Sequence, residues 1–379
     1  MRARTSLFFH KLAHKLPVLR QRPLLATLLI ALLVLTLLMT GCTNDEAAGT
    51  ATGSSSSSDS RKETAGDTRI VSSSSRDGDS LSSSPFASNA SSASTAAPDT
   101  ATFGIIYPMA HPYYETVTES AKAAAALHGV RLIVKAPDEA NLEQQIRMME
   151  TMIASQVDGI ALDPIDAEAL VPVINKAVQA GITVICFESD SPTSKRAAFI
   201  GTDHAAAGAQ MGHMLSELLG GRGMVIVETG MTRMKSLSER LEGMLSYINE
   251  QTDIQVLEVQ YNEGNETRAL AQLEKMIDDH PHFDALVSMD ALSGSASVLV
   301  WKAQGLNRYS LTFGMMPEIQ EAIQNGQITA SLSQNEQLWG TRIIERLLQA
   351  SAGETLPLFD DTGTLEITQE DISLLYGIR

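Results

Sequence analysis

The chain has 379 residues, of which 44% are hydrophobic, so it has room for two ordinary domains and a substantial core. Its formal net charge is −17 at pH 7, and its isoelectric point lies near 4.9. This acidic balance argues against a protein built to hold nucleic-acid phosphates, and no basic stripe occurs in the part that has a globular composition. We therefore expect no nucleic-acid partner.

The first 41 residues have the pattern of an export signal. Six basic residues and no acidic one occur in the first 22 positions, and an uncharged, leucine-rich run follows from Leu24 to Met39. This run is shorter than the roughly 20 residues of a membrane-spanning helix, and it ends in Met39-Thr40-Gly41-Cys42. An uncleaved N-terminal anchor is the alternative interpretation, and either one exports the rest of the chain.

The junction at Cys42 resembles the bacterial lipobox, although Met39 stands where leucine is commoner. The resemblance implies that residues 1–41 are a lipoprotein signal peptide, that Cys42 carries lipid, and that the chain is anchored at the outer face of the bacterial cytoplasmic membrane. Residues 42–100 are mostly Ser, Thr, Ala, Asp and Gly. Such a composition buries too little apolar surface to fold, so we expect a disordered tether.

From residue 101 onward, short apolar runs alternate with amphipathic stretches. The runs that predict strands are 102–107, 130–134, 159–162, 182–187, 198–201, 224–228, 254–259, 285–289, 310–313, 329–333 and 364–367. The stretches that predict helices are 113–127, 141–155, 167–180, 203–219, 232–250, 265–279, 293–303, 317–325 and 337–350. Alternation of this kind predicts parallel sheets that are covered by helices on both faces.

Two successive sets of these units predict an α/β protein with two doubly wound, Rossmann-like lobes. A single closed β/α barrel is the alternative, because eight or more units would also fill one. Against the barrel, the predicted strands 182–187 and 198–201 follow each other without a helix between them. That succession is expected where the chain crosses from one sheet to another.

Ready-made signatures of catalysis are missing from the sequence. It contains no G-x-S-x-G, P-loop, H-E-x-x-H or paired C-x-x-C motif, and its histidines and acids lack ligand spacing, so we expect neither metal nor cofactor. Besides Cys42 the one thiol is Cys186, whose apolar surroundings favour a buried core residue over a nucleophile. An exported enzyme that uses Glu188, Asp163 and His111 as acid and base remains an alternative.

Loops after the predicted strands are the expected place for a ligand site, since open α/β sheets bind ligands beyond the carboxyl ends of their strands. The first such loop places His111, Tyr113 and Tyr114 close together in a chain that is only 5% aromatic. These rings either pack the turn or line a ligand site, and the sequence leaves both interpretations open. Arg240 also has two interpretations, a ligand contact or a solvated ion pair. The ion pair is possible because Arg240 lies near Glu239 and Glu242 on an amphipathic helix.

Several phrases of the sequence, in this order and spacing, resemble the type 1 periplasmic binding protein family and, within it, the ribose-binding-like sugar receptors. They are His111-Pro-Tyr-Tyr, 157-VDGIALDPIDAEAL-170, 178-VQAGITVICFESD-190, 199-FIGTDHAAAG-208, 239-ERLEGM-244 and 329-TASLSQ-334. The resemblance covers residues 102–379. It implies two lobes with a hinged cleft, and the absence of a helix-turn-helix motif before it indicates the exported receptor over the related repressors.

The resemblance also implies which residues contact the ligand. They are His111, Tyr113, Tyr114, Asp163, Glu188, Ser189, Thr202, His204, Arg240, Asp290 and Gln334. Ser189 replaces the basic residue that usually follows the acid. Met289 and Gly314 stand where sugar receptors of the family carry an amide or acid and an aspartate, and Asp290 is a candidate substitute for the first of these.

As for organisation, the resemblance implies a first lobe of residues 101–202 with about 335–355, and a second of 203–334 with about 356–379. It implies a monomer that captures a small polar solute, sugar-like by family, and delivers it to the membrane permease of an ABC importer. A receptor that works with a membrane sensor kinase is the alternative role for the same fold.

Overall fold

A computed structural model describes residues 100–376 of the chain. The predictions of a signal peptide at 1–41, a lipid at Cys42 and a tether at 42–100 concern residues that lie, but for residue 100, outside this range. Within 100–376, two six-stranded sheets form, and helices cover both faces of each. None of the helices in this range is both long enough and apolar enough to cross a membrane.

The first sheet is built mostly from the chain before residue 202. Its strands are β1 Thr102–Ile106, β2 Arg131–Lys135, β3 Gly159–Leu162, β4 Thr183–Phe187, β5 Ala198–Gly201 and β11 Phe359–Asp361. They lie in the order β11-β5-β4-β3-β1-β2, and every neighbouring pair is parallel. β3 and β5 are buried along their whole length, as expected for inner strands with helices on both faces.

The second sheet repeats this plan with one difference. Its strands are β6 Arg222–Thr229, β7 Asp253–Tyr261, β8 Ala285–Ser288, β9 Tyr309–Phe313, β10 Ala330–Ser333 and β12 Leu365–Thr368. They lie in the order β12-β10-β9-β8-β6-β7, and all neighbours are parallel except β10 and β12, which pair antiparallel.

Ten α-helices connect and cover these strands in the described range. They are α1 Glu115–His128, α2 Leu142–Ala154, α3 Val171–Gln179, α4 His204–Leu219, α5 Lys235–Gln251, α6 Glu266–Asp279, α7 Ala291–Gln304, α8 Pro317–Gln324, α9 Trp339–Ser351 and α10 Gln369–Tyr376. Four of them begin where a short polar side chain accepts a hydrogen bond from a backbone N–H of the first turn, which explains why they start there. These caps are Asn141, Asp203, Asn265 and Asp290.

The helices define two lobes. In the first lobe, α1 and α9 pack on one face of the first sheet, and α2 and α3 pack on the other. In the second lobe, α4 and α5 cover one face of the second sheet, and α6 and α7 cover the other. The predicted pair of doubly wound lobes is therefore confirmed, and the single barrel is wrong, because the strands close into two separate open sheets.

Three parts of the fold differ from the sequence-based expectation. The strand β11 was not expected, and it joins the first sheet beside β5. The prediction assigned the chain from about 356 onward to the second lobe, whereas residues 359–361 belong to the first. The antiparallel pairing of β12 and the last helix α10 were also missed. β11 is only three residues long and polar at two of its positions, so it carries no apolar signal.

The chain crosses between the lobes three times, after β5, after β10 and after β11. Hydrogen bonds tie the three crossings together. The Thr362 hydroxyl donates to the carbonyl oxygen of Gln334 at 2.9 Å, and the Thr202 hydroxyl donates to that of Gly363 at 3.0 Å. The amide of Asn335 donates to the carbonyl oxygen of Thr362 at 2.8 Å. The crossings therefore form one bonded unit where a hinge is expected.

The helices α1 and α9 approach so closely that their contact requires a glycine. A Cβ atom added at Gly340 would lie 2.2 Å from the carbonyl oxygen of Val117 and 2.4 Å from the backbone nitrogen of Ala121. Gly294 in α7 is different, because a Cβ there would have Ile319 Cδ1 as its nearest neighbour at an ordinary 3.5 Å.

We predict that Gly340→Ala lowers the free energy of unfolding by about 1–3 kcal/mol, because the added methyl group forces α9 away from α1. The matched Gly294→Ala should be neutral or stabilising by up to about 1 kcal/mol, since alanine favours a helix over glycine. Urea unfolding of the two variants and the wild type measures both effects. Equal stability of the two variants would contradict this description of the contact.

Candidate functional site

Loops after the parallel strands of both lobes enclose one small cavity between the lobes. Seven of the eleven predicted site residues line it: His111, Tyr113, Tyr114, Glu188, Arg240, Asp290 and Gln334. The remaining lining residues are Met109, Met231, Met234, Leu237, Ala291 and Phe313. These residues lie at or after the carboxyl ends of strands in both sheets, so the cavity lies between the two lobes.

The guanidinium of Arg240 lies at the centre of the site. This side chain of α5 is 1% exposed, and its plane lies over the ring of Phe313 with 3.5 Å from Cζ to the ring centroid. Nη1 donates to the carbonyl oxygen of Met289 at 2.6 Å, and Nη2 lies 3.2 Å from Glu188 Oε1 and 3.3 Å from Gln334 Oε1. Nε has no hydrogen-bond partner among residues 100–376. The solvated ion pair considered from the sequence is therefore wrong.

Glu188, which follows β4 in the first lobe, and His204, which follows the crossing after β5, both lie next to Nη2 of this guanidinium. Glu188 Oε2 accepts a hydrogen bond from the Ser236 hydroxyl at 3.0 Å, while Oε1 faces Arg240. His204 Nε2 lies 2.6 Å from the carbonyl oxygen of Glu188, so it must carry the proton, and Nδ1 is left to accept from Arg240 at 3.3 Å. Burial and the charge of Arg240 lower the pKa of His204 to about 3, so the ring is neutral.

The rings of the aromatic turn are packed, and those of Tyr113 and Tyr114 also line the cavity. Tyr114 stacks on Tyr107 at 4.4 Å between ring centroids, and its hydroxyl donates to Asp163 Oδ2 at 2.9 Å. The Tyr113 hydroxyl accepts from Gln334 Nε2 at 3.1 Å, which joins the two lobes. Burial raises the pKa values of Tyr113 and Tyr114 well above 10. The rings are thus fixed by packing before any ligand contact.

Asp163, Ser189 and His204 do not line the cavity but support residues that do. Asp163 accepts from Tyr114 and, through Oδ1, from the backbone N–H of Ser189 at 3.3 Å. The Ser189 hydroxyl accepts from the backbone N–H of Ser236 at 3.2 Å, which adds a contact between the lobes. Burial and the nearby Glu188 raise the pKa of Asp163 well above its usual range.

Thr202 lies at the crossings and bonds Gly363, so it is away from the cavity that the other predicted residues line. The three residues named for acid-base chemistry are also not presented together. His111 and Glu188 line the cavity, whereas Asp163 lies behind Tyr114. Ligand contact by these residues stays a prediction. Among residues 100–376, no group of three or more His, Cys, Asp or Glu residues is arranged to hold a metal ion.

The two departures from the sugar-receptor pattern have different structural outcomes. The side chain of Met289 packs in the core of the second lobe on the α4 and α5 face, and the following residue, Asp290, lines the cavity instead. At Gly314 the space is filled by Tyr113, whose Cε2 atom would lie 2.9 Å from an added Cβ. Asp290, the expected substitute, therefore lies in the cavity wall, and its contact with a ligand stays a prediction. Tyr113 fills the space beside Gly314.

Six lining residues were not predicted, and all of them are apolar. Met109, Met231 and Met234 lie in loops that the sequence did mark as strand ends, but methionine was not considered a lining residue there. Leu237 and Ala291 begin helices that follow such loops, and their core-like character hid their position. A search of every residue in the strand-end loops, without regard to polarity, would have found most of them.

The lobes touch directly around the cavity. On its rim, Arg233 Nη1 of the second lobe lies 3.1 Å from Asp166 Oδ2 of the first. The cavity itself measures about 40 Å³, whereas sites for small molecules are typically about 300–1,000 Å³. A solute larger than a few water molecules therefore enters only if the lobes separate.

A larger surface groove of about 560 Å³ lies between α4 and α5, on the outer side of the second lobe. Its charged lining consists of Glu239, Glu242 and Glu250, beside Tyr247. It contains no strand-end loop, and none of the predicted site residues contributes to it. We therefore assign the candidate site to the smaller cavity between the lobes, where the polar groups converge.

One buried carboxyl group near the site was missed from the sequence. Glu228 ends the apolar run of β6 and is fully buried, and neither of its side-chain oxygens has a hydrogen-bond partner within the described range. It pairs in register with Ser288, two residues before Asp290. Burial, and then the charge of Asp290, raise the pKa of Glu228 to about 9. The signal in the sequence was the single acid at the carboxyl end of a buried strand.

Comparison with known proteins places this two-lobed fold and interlobe cavity in a family. The sequence profile of a family described as the periplasmic binding protein domain matches residues 104–355. This match covers more than half of the chain, so the protein belongs to the type 1 periplasmic binding protein family.

The individual relatives have low sequence identity to this chain, but the alignments cover most of each relative. A D-ribose/D-allose-binding protein of Pseudomonas aeruginosa is 24% identical over 277 residues, which are 70% of this chain and 86% of the relative. The crystal structure of GanP, a glucose-galactose binding protein from Geobacillus stearothermophilus, is 26% identical, has a TM-score of 0.68, and is aligned over 72% of this chain and 99% of its own. An ABC transporter solute-binding protein from Burkholderia graminis, solved with D-arabinose, is 26% identical with a TM-score of 0.69, over 72% and 96% of the two chains.

We predict that the raised pKa of Glu228 makes the fold less stable as the pH rises. The unfolded carboxyl ionises near 4.5 and the folded one near 9, so the folded state keeps a proton that the unfolded state loses. This group's contribution is complete below pH 4.5 and is lost between there and pH 9, with a slope of up to about 1.4 kcal/mol per pH unit.

Urea unfolding between pH 6 and pH 9 measures this slope, and Glu228→Gln should flatten it, because glutamine has the same shape and does not titrate. Glu274→Gln, at an exposed position of α6, is the control and should leave the slope unchanged. If Glu228→Gln and the wild type lost stability in parallel over this range, Glu228 would not be the group that titrates.

Proposed function

We propose that this protein is an extracytoplasmic receptor that binds a small, sugar-like solute between its two lobes. The observation that carries this proposal is the buried guanidinium of Arg240, which has one unpartnered N–H group beside a cavity whose lining comes from both lobes. A buried donor without a partner costs about 1–3 kcal/mol, and a ligand oxygen would relieve that cost. The names of the sugar-binding relatives support the same class of solute.

In this proposal the solute is held by polar groups at the centre and by rings at its faces. Arg240 Nε donates to a ring or hydroxyl oxygen, and Asp290 accepts from a hydroxyl group. The neighbouring His111 has its Nδ1 engaged by the backbone N–H of Tyr113 at 3.3 Å, so its Nε2 is available to the solute. The faces of Tyr113 and Phe313 supply apolar contact, which suits the C–H faces of a sugar.

Binding and release then require a hinge motion about the three crossings. The lobe contacts Arg240 to Glu188, Gln334 to Tyr113 and Arg233 to Asp166 break when the lobes separate and form again around the solute. These contacts do not involve the solute, so the solute adds its own contacts to those that already join the lobes in the closed form.

We further propose that the receptor is a lipoprotein anchored through Cys42 and that it presents its solute to the permease of an ABC importer. The sequence before residue 43 supports the anchor, with its basic start, apolar run and small residues before the cysteine. The importer is supported by the match to a periplasmic binding protein domain and by a similar structure that is named an ABC transporter solute-binding protein. The acidic, serine-rich segment after Cys42 would let the lobes reach a permease in the same membrane.

The binding proposal is tested by thermal unfolding of the full-length protein in detergent against pentoses, hexoses, polyols and nucleosides. At 100 times its Kd, a true ligand adds about 2.7 kcal/mol of stability, which is an easily measured rise in Tm. We expect Arg240→Lys to weaken binding by at least about ten-fold, because lysine lacks the Nε donor and the planar fork.

Arg268→Lys, at an exposed position of α6, makes the same change away from the cavity and should leave the Kd unchanged. A panel without any shift, or equal affinity of Arg240→Lys and wild type, would overturn the proposal of a sugar receptor that binds through Arg240.

The anchor is tested by mass analysis of the N-terminus after expression in a bacterium that processes lipoproteins. We expect the wild-type chain to begin at a lipid-modified Cys42 and Cys42→Ser to keep residues 1–41. Cys186→Ser replaces the buried thiol of β4 and is the matched control, which should be processed like the wild type. A wild-type protein that retained residues 1–41 would instead favour the uncleaved anchor.

A further inference from the structure

More than half of the side chains that line the candidate cavity are apolar or aromatic. Met231, Met234 and Leu237 come from one stretch of the second lobe, and Met109 comes from the first. All four are less than 9% exposed. They line the cavity together with the rings and with Ala291, so apolar residues outnumber the five with charged, imidazole or amide groups.

These side chains are also fixed in the cores of the opposite lobes. Met231, Met234 and Leu237 belong to the apolar cluster formed by α2, α3 and the first sheet, where Ile165 is a neighbour. Met109 belongs in the same way to the cluster of α6 and α7 in the second lobe. This part of the lining is therefore a continuation of the two cores, and it offers no hydrogen bond to a solute.

The polar side chains of the cavity are mostly engaged with one another. Glu188 is bonded by Arg240 and Ser236, and Gln334 by its contacts to Arg240 and Tyr113. Asp290 accepts from the amide of Asn262 at 3.1 Å and from backbone N–H groups of α7. The free capacity for a solute is thus small, since it consists of the Arg240 Nε donor, the outer imidazole nitrogen of His111, the Tyr113 hydroxyl proton and what remains on Asp290.

A fully hydroxylated sugar would have to bury hydroxyl groups against methionine and leucine. Each hydroxyl without a partner loses its bonds to water and gains none in return. A methyl or methylene group in the same place gains apolar contact instead, and the flexible, polarisable methionine side chain adapts to its shape.

We propose that the solute of this cleft is a deoxy sugar, whose methyl or methylene edge lies against Met231, Met234 and Leu237 while its hydroxyl edge meets Arg240, Asp290 and His111. This inference rests on the proposed sugar-binding function and specifies it. The three apolar residues then determine specificity, because they reject the hydroxyl group that distinguishes the parent sugar.

The test compares sugars that differ by one hydroxyl group, by calorimetric titration of the full-length protein in detergent. The pairs are L-rhamnose with L-mannose, D-fucose with D-galactose, D-quinovose with D-glucose, and 2-deoxy-D-ribose with D-ribose. In a pair that binds, we expect the deoxy sugar to have a Kd at least about ten-fold lower than its parent.

Two polar variants examine the residues themselves. Met231→Gln and Met234→Gln keep nearly the same length and add an amide that can bond a hydroxyl group, so at least one of them should reduce the ten-fold preference or reverse it. Met148→Gln, in α2 at a partly buried position outside the cavity, is the matched control and should keep the wild-type preference. Urea unfolding verifies that each variant is folded.

Each outcome has a distinct meaning. If sugars bind but every parent binds as tightly as its deoxy partner, the inference is overturned and the sugar receptor stands. If no sugar binds at all, the proposed function fails and this inference fails with it. If the preference exists but survives in both glutamine variants, the assignment of specificity to Met231 and Met234 is wrong.

Discussion

The arrangement of the two lobes depends on how the buried charge of Arg240 is compensated. A guanidinium out of water costs several kcal/mol unless its donors are bonded and its charge is paired. Its partners come from separate parts of the fold: Glu188 follows β4 in the first lobe, the carbonyl of Met289 follows β8 in the second, and Gln334 lies at a crossing. The charge is compensated only when both lobes have this relative orientation, so one side chain couples the state of the site to the angle of the hinge.

The buried charge of Arg240 also determines which side chains can lie next to it. His204 has to be neutral and to present Nδ1, because a charged ring beside the guanidinium would repel it. The ring of Phe313 offers its electron-rich face to the cation, which adds to the pairing with Glu188. Removal of one partner would leave the others buried and unpaired, so the network is expected to act as a unit.

Much of the fold followed from the sequence because long apolar runs at regular spacing have few alternatives. The ten predicted strands up to β10 formed within a few residues of their expected ends, and seven of the eleven predicted site residues line one cavity. The missed parts lack such a signal. β11 is held by its pairing with β5 and by arginines that bond Asp360, and neither partner is near it in sequence.

The site was predictable in its polar half and not in its apolar half. Arg240 and Gln334 were predicted because the phrases 239-ERLEGM-244 and 329-TASLSQ-334 resemble the family, whereas Met231 and Leu237 have the character of core residues whether or not they line a cavity. The filling of the space at Gly314 by Tyr113 depends on a contact between residues that are far apart in sequence. Only the folded chain contains that information.

The pairing of β11 with β5 also constrains the order in which the lobes can form. The first sheet is left with an open edge at β5 until Phe359–Asp361 arrives, and the second sheet waits for β12, only a few residues further along. Neither sheet has all its strands until residues 359–368 have been made, since both are finished by nearly the same last stretch.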